Sequence, residues 1–429
     1  MGVSRVDFQS VRRMFGRFAP LIFVVPITAL AAVPASASTV SPLPPPLDLS
    51  GMYALPAQTP TQLVVFGHGH QNSSASWVTH LEEAANRGAV AVAPDYRGTG
   101  PAQAPIPYYG WPAKAGAEDL VTVAQYFLKH CPTIKQVYLL GVSMGGNMSG
   151  LALANKPLRG NGTPLFDYWV DVEGVNNLTE EYLLARGVAP VNAGGAVAQA
   201  EIEKETGGPI ESVPTEYTGR SNVARVQDIA ASGVKGAVLV QAVEDGLVPY
   251  NQSLEMTTAL RANGVPTDLY SVARRDPSQT DPGHEQTTIL GIVPGMGPMD
   301  PLAGHGWEGS NTHIVIRTGL ERLWALMDAD TARPSNANFV VDSGLGTVPA
   351  TDMAKSMSPV GEGGSRCSTA KGDVHTEGAG TLGVSTASVG SLGGLPLTST
   401  APPVPDGRGL WFLAAALLPA AVALRPRRR

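Results

Sequence analysis

A regular alternation of short apolar runs and helix-spaced segments between residues 62 and 155 constrains this chain more than any other feature. Residues 62–66 are apolar and β-branched and stop at the tight loop Gly67-His68-Gly69-His70. Helical spacing follows over 76–87, then a second apolar run over 89–93 and the loop Pro94-Asp95-Tyr96-Arg97-Gly98-Thr99-Gly100. An amphipathic helix over 118–129 leads to a third run, 136–140. That run enters Gly141-Val142-Ser143-Met144-Gly145, and helical spacing continues through 148–154. Strands that are apolar throughout, rather than at every second residue, are covered on both faces, and helices between them make the sheet parallel. The chain is therefore predicted to be α/β, with a mostly parallel central sheet and helices on both faces.

Past this core, a strand at 168–172 is followed by residues 177–222, which leave the alternation and carry helical stretches at 178–186 and 197–205. This segment is predicted to be a cap-like insertion. Alternation resumes with a helix at 224–232, a strand at 236–241, a helix at 252–263 and a strand at 267–272. A last helix at 314–327 closes the body.

The chemistry centres on Ser143. A serine hydroxyl is a poor nucleophile until a base takes its proton and fixed donors await the oxyanion. A G-x-S-x-G turn between a strand and a helix supplies that geometry, because Gly141 and Gly145 let neighbouring backbone approach and the hydroxyl stands clear of the sheet. The Met144 N–H then faces the substrate oxygen at a helix N-terminus. A second oxyanion donor is expected from the loop after the strand at 62–66, as the backbone N–H of His70, with the His68 side chain holding that loop. The acid is expected after a late strand, in the chain order Ser, Asp or Glu, His. Asp245 opens Asp245-Gly246-Leu247-Val248-Pro249 in that place, with Glu244 as its neighbouring rival. Three histidines follow it. His305, in Ala303-Gly304-His305-Gly306, leads into the final helix; His284 lies nearer the last strand; His313 stands where the final helix begins.

These pieces carry a family resemblance. Asp95-Tyr96-Arg97-Gly98-Thr99-Gly100, Gly141 to Gly146, Ser221-Asn222-Val223-Ala224, and Asp245-Gly246-Leu247-Val248-Pro249 with Gln252-Ser253 resemble the α/β-hydrolase superfamily. Within it they resemble the prolyl oligopeptidase branch of serine peptidases and its esterase relatives, over about residues 60 to 328. The resemblance implies the α/β-hydrolase fold, a Ser143, Asp245, His305 triad and acyl transfer through a serine ester. His68-Gly69-His70 resembles the His-Gly signature of that fold. Two departures stand out. The body is not preceded by a β-propeller-sized region, so the gating that restricts such peptidases to short peptides is expected to be missing. Residues 274–302 are long where relatives run almost directly from strand to histidine, which keeps His284 open beside His305.

Both ends read as addresses. Residues 1–37 combine four Arg, an apolar run over 18–33 and Ala35-Ser36-Ala37, as an export signal does. Arg12-Arg13-Met14-Phe15 resembles the twin-arginine consensus, with Val11 before the pair. Residues 38–331 are expected to be the catalytic domain, and 332–408, rich in Gly, Ser, Thr and Pro, a flexible stalk. Residues 409–429 join an apolar run to a basic end, as a membrane or sorting tail does. Val404-Pro405-Asp406-Gly407 resembles an exosortase signal and Leu395-Pro396-Leu397-Thr398 an imperfect sortase site. The expected location is the cell surface or envelope.

Charge and cysteine usage narrow the partners. Setting aside the eight terminal Arg and Asp7 leaves 22 basic against 35 acidic residues, a net of −13, which repels phosphate backbones and excludes nucleic acid. The two cysteines, Cys131 and Cys367, permit one bridge and show no zinc spacing. The carboxylates over 276–285 match no defined calcium loop and read as a solvated turn, so neither metal nor cofactor is expected. The expected function is an exported serine hydrolase cleaving carboxylic esters, esterase or lipase-like, on a small-molecule ester or short peptide. The alternatives are a serine exopeptidase or oligopeptidase and a catalytically inactive surface-anchored binding protein.

Overall fold

The computed structural model describes residues 39–99, 110–243, 245–273, 304–306, 308–309, 313–329 and 332–342, with short strands at 367–369 and 372–374. Its frame is a nine-stranded sheet made of β1 (Val40–Pro42), β2 (Gly51–Ala54), β3 (Gln62–Gly67), β4 (Ala89–Pro94), β5 (Gln136–Val142), β6 (Tyr168–Val172), β7 (Gly236–Ala242), β8 (Thr267–Ala273) and β9 (Asn338–Asp342). The spatial order is β1-β2-β4-β3-β5-β6-β7-β8-β9. The β1/β2 and β2/β4 pairs are antiparallel and every other neighbouring pair is parallel.

The period of two along each strand divides the core into two layers. Leu63 and Val65, Val90 and Val92, Val137 and Leu139, Trp169, Ala237 and Leu239 point to one face. There they meet α2 (Ala113–His130), α3 (Met144–Ala154), α7 (Val226–Ala231) and α8 (Tyr250–Ala262). Their sequence neighbours Val64, Phe66, Ala91, Tyr138, Leu140, Val170, Val238 and Val240 point to the other face, against α1 (Val78–Asn86) and α9 (Ile314–Asp328). Burial on both faces is why these strands read as unbroken apolar runs. The parallel α/β architecture expected from the sequence is observed.

The chain leaves β3 toward β4 and then returns to place β5 on the other side of β3. That reversal is the switch point at which open α/β sheets form a crevice beyond the carboxyl ends of their strands. Gly67 pairs with Gly141 across β3 and β5, so the loops that follow leave the sheet side by side.

The segment at 177–222 forms α4 (Leu178–Val188), α5 (Ala193–Thr206) and α6 (Pro214–Gly219). Asn177 and Asn192 cap the first two by accepting hydrogen bonds from Glu180 and Gly195 N–H. Leu178, Tyr182, Ile202 and Tyr217 join the same core layer as α2 and α3, so the insertion is packed onto the body.

Three local expectations are corrected. The helix predicted from 118 begins at Ala113, because Gly116 marks a close approach and not a break: a methyl group there would lie 2.4 Å from Met148 Sδ. The stretch assigned to a stalk from 332 includes β9, which extends the sheet beside β8. Strands β1 and β2 went unpredicted. Neither β2 nor β9 stands out by pattern, since each is short and lies toward an edge. Cys131, after α2, is disulfide-bonded, as the single-bridge reading allows. Among the described residues no helix is long and apolar enough to cross a membrane. The segments 1–37 and 409–429, and the sorting motifs, lie outside the described residues.

β9 is held by its ladder to β8, by Phe339 stacked on Tyr270 at 4.5 Å, by Val341 against the core, and by polar contacts. Asp268 Oδ1 accepts from Ser335 and Ala337 N–H, both at 2.9 Å, and Arg261 donates to Ala337 O at 2.9 Å and Asn338 Oδ1 at 2.8 Å. Asp268→Ala removes two acceptor contacts from a buried side chain and is expected to cost about 1–3 kcal/mol. Denaturant unfolding checks the loss, and hydrogen exchange is expected to rise first at residues 338–342.

Candidate active site

Ser143 sits where β5 ends and α3 begins, with φ 56° and ψ −122°. A serine in this region of backbone space is strained by about 1–3 kcal/mol, so its surroundings must hold it there. They do so from both sides: Ser143 N–H donates to Val172 O at 3.0 Å, and Val175 N–H donates to Ser143 O at 3.1 Å. The turn is crowded as well. A methyl at Gly145 would lie 2.4 Å from Gly67 O, and one at Gly141 would lie 2.3 Å from Gly145 O. Met144 N–H opens α3 and is among the first-turn donors that a helix leaves unpaired internally.

The loop after β3 lies against this elbow. A methyl at Gly69 would be 3.3 Å from Ser143 Cβ. Gly69 N–H donates to Glu308 Oε1 at 2.7 Å, and the His70 N–H follows it in the same loop. The His70 ring bonds through Nε2 to Glu201 Oε2 on α5 and packs near Trp111, with centroids 5.5 Å apart. His68 is buried, stacks on Tyr96 at 4.0 Å and donates from Nδ1 to Gly69 O at 2.9 Å. Burial pushes its imidazole down to about 4, so the ring is a neutral brace for the loop.

Asp245 lies three residues past β7. Its Oδ1 accepts from Leu247 N–H at 2.8 Å and Val248 N–H at 3.0 Å; its Oδ2 accepts from Gln241 Nε2 at 2.7 Å. The remaining donor is His305 Nδ1, 2.7 Å from Oδ2. Gln241 is itself fixed by Val248 O and by the Ser253 hydroxyl. The structure thus joins Asp245 to His305, and it brings the His305 loop to the Ser143 elbow through the Glu308 to Gly69 contact.

A second carboxylate reaches the same imidazole. Glu173, directly after β6, accepts from Gly306 N–H at 2.7 Å, and its Oε2 is 3.7 Å from His305 Nδ1. Burial alone lowers the His305 imidazole, yet Asp245 and then Glu173 outweigh it and raise the group to about 10. Burial raises Glu173 well above the usual carboxylate range, with Asp245 adding to it. Glu181 on α4 is raised to about 8 by burial and then by Asp245, and burial raises Glu308 and takes Asp171 to about 7.

The other expected candidates fall elsewhere. Glu244 and His284 lie outside the described residues. His313 is buried at the N-terminus of α9, where it packs behind the histidine loop: a methyl at Gly306 would meet its Nδ1 at 2.9 Å. Glu173, Asp245 and His305 offer atoms within 4.8 Å of one another, the spacing of a metal cluster. Each of these atoms is already engaged, Glu173 with Gly306 N–H and Asp245 with His305, so a hydrogen-bonded centre accounts for them. Sequence reasoning missed Glu173, Glu308, Glu181 and Glu201. Glu173 had a signal, since it follows a buried parallel strand at the end where such sheets build their sites. Glu181 and Glu201 lie on the helices of the insertion, α4 and α5, where nothing in the pattern singles out one carboxylate, and Glu308 lies in a loop.

The sequence profile of the prolyl oligopeptidase family matches residues 73–277, a span that includes Ser143 and Asp245 and ends before His305. No curated protein sequence matches the chain. Similar solved structures include an acylaminoacyl peptidase of Pyrococcus horikoshii, at 17% identity over 55% of this chain and 37% of that one, with a TM-score of 0.41. A puromycin-hydrolyzing peptidase of Mycobacterium tuberculosis is 15% identical over 73% of this chain and 43% of that one, with a TM-score of 0.42. A thermophilic esterase of Thermogutta terrifontis, with propionate bound, is 15% identical over 68% of this chain and 94% of that one, at 0.43. The chain thus spans well under two thirds of the two peptidases. The parallel sheet, its strand-to-helix serine turn and the family match make the chain an α/β-hydrolase that resembles the prolyl oligopeptidase family of serine hydrolases.

Proposed function

We propose that this protein is an exported serine hydrolase that cleaves carboxylic esters through an acyl-enzyme at Ser143. The observation that carries this reading is the 2.7 Å bond from His305 Nδ1 to Asp245 Oδ2, in a loop tied to the strained Ser143 turn. With Nδ1 donating to the carboxylate, the other ring nitrogen of His305, Nε2, acts as the base. Ser143 Oγ attacks the ester carbonyl as His305 takes its proton, and Asp245 stabilises the imidazolium. The oxyanion is held by Met144 N–H and His70 N–H. The proton on His305 then goes to the leaving alcohol, and water reverses the sequence to release the acid.

The insertion α4 to α6 adjoins this centre, as a cap over the substrate would, because Glu201 on α5 bonds to the His70 ring and Glu181 on α4 faces Asp245 and His305. Export rests on the export-type sequence at 1–37 and on the disulfide at Cys131, a bond that persists in oxidising compartments. Retention at the envelope through residues 409–429 belongs to the same proposal. The family match at 73–277 favours a second reading, a serine exopeptidase or oligopeptidase.

Ser143→Ala and His305→Ala are each expected to abolish fluorophosphonate labelling, while His284→Ala and His313→Ala retain it in folded protein. Labelling lost in His284→Ala and kept in His305→Ala would overturn the assignment of the base. Wild-type protein that folds and takes no label at all would favour the non-catalytic binding protein.

Turnover of short and medium p-nitrophenyl esters is expected to exceed that of aminoacyl-naphthylamides at equal concentration. The reverse preference selects the peptidase reading.

The base must be neutral to act, and the carboxylates raise His305 above its ordinary value. Rising pH therefore removes the proton that blocks catalysis. The rising limb of kcat/KM is expected to have its midpoint above pH 6.5, the ordinary value of the group, and a midpoint at or below it would contradict the charge arrangement.

A further inference from the structure

His305 faces two carboxylates, and the reaction described above uses one of them. Glu173 has φ 52°, a backbone conformation that a glutamate adopts only under constraint. The constraint is its N–H, which donates to Val240 O in β7 at 2.8 Å and so turns the side chain back under the histidine loop. There the carboxyl is fully buried, with Oε2 accepting from Gly306 N–H at 2.7 Å and Oε1 without a partner among the described residues. An ionised carboxylate buried with an unpaired oxygen is costly unless a cation lies beside it. The cation available to it is His305 in its protonated form, 3.7 Å away. This distance exceeds a hydrogen bond by about 1 Å, a gap that rotation of the side chain can close.

We propose that Glu173 is a second acid of this centre, a positioning residue that holds the His305 loop through Gly306 and can replace Asp245 as partner of the imidazole. The proposal rests on the reading of Ser143, Asp245 and His305 as the catalytic triad. In the resting protein Asp245 takes the charge, because four donors converge on it. While His305 is neutral Glu173 keeps its proton, which spares the pocket a second anion; it ionises only beside the imidazolium. When Asp245 is made neutral, the like charge that opposed ionisation is gone. Glu173 then releases its proton to solvent and accepts the Nδ1–H of His305. The other acids facing His305 are Glu181 on α4 and Glu308 in its own loop. Glu308 is engaged with Gly69 N–H, and Glu181 has Gln252 at 3.4 Å.

The test uses the full chain in four forms: wild type, Asp245→Asn, Glu173→Gln and the double variant. Each is assayed for p-nitrophenyl ester hydrolysis and for the rate of fluorophosphonate labelling. A centre with a single acid loses about 10⁴-fold when that acid becomes an amide. Here Asp245→Asn is expected to lose only about 10²-fold and Glu173→Gln less than about 10-fold, with the double variant near 10⁴-fold, beyond the product of the two. Losses that simply multiply would make Glu173 a structural support and sink the proposal. A second readout does not depend on the Glu173 variants folding well. The strongly deshielded Nδ1 proton of His305, seen by NMR, is expected to persist in Asp245→Asn, and its disappearance there would also overturn the role. A wild type that neither labels nor hydrolyses would remove the triad reading and this proposal together. An active wild type with multiplicative losses removes the role of Glu173 alone.

Discussion

At Gly67 and Gly145 the ends of β3 and α3 come so close that no side chain fits between them, and the geometry of the site follows from that approach. A methyl at Gly145 would meet Gly67 O at 2.4 Å and His68 O at 2.7 Å. With hydrogen in its place, the first turn of α3 rests against the loop that leaves β3. The start of α3, with the Met144 N–H, and the loop bearing the His70 N–H therefore lie side by side next to Ser143. Because β3, β5, β6 and β7 are successive parallel neighbours, their carboxyl ends deliver His68, Ser143, Glu173 and Asp245 to the same edge of the sheet. Each of these four residues is held by the strand before it, whereas His305 comes from the loop that leads into α9.

Electrostatics then select which buried acid carries charge. Asp245 and Glu173 stand at the ends of adjacent strands and face one imidazole, 2.7 and 3.7 Å from its Nδ1. The difference between them lies in their donors. Asp245 receives two backbone N–H groups, the Gln241 amide and His305; Glu173 receives Gly306 N–H, with a weaker contribution from Ala242 N–H, and among the described residues its Oε1 makes no close hydrogen bond. Donors aimed at a carboxylate favour its ionised form, and burial without them favours the neutral acid. Two anions this close would also repel. The charge therefore localises on Asp245, where it orients the ring.

Much of this was legible in the sequence, for reasons that can be traced. Runs such as Leu63 to Phe66 and Val137 to Leu140 are buried on both faces, so their composition alone announces strands. Gly141 and Gly145 flank Ser143 because backbone approaches on both sides, which a spacing pattern can reveal. Asp245 was visible because a turn follows an apolar strand. The illegible parts are those whose role depends on distant partners. Gly116, inside α2 but ahead of the stretch read as helical, is a contact point for Met148. β9 is embedded in Gly, Ser and Pro and is stabilised by Asp268 and Arg261, which precede it by about seventy residues. His305 could not be separated from His284 by spacing, since that choice depends on which loop returns to β7.

The insertion shows the same dependence in a form that bears on catalysis. Its helices contribute hydrophobic residues to the core layer beneath α3, and they also send Glu201 to the His70 ring and Glu181 toward Asp245 and His305. The His70 contact spans 131 residues of sequence, so no local pattern could announce it. Its consequence is mechanical: the loop bearing the His70 N–H is gripped by Glu308 on one side and by α5 on the other. A loop held at two points is preorganised, and fixed donors stabilise an oxyanion without reorganising during the reaction. Under the proposed mechanism the insertion therefore acts on the reacting carbonyl through the loop it grips, because Glu201 holds the His70 ring.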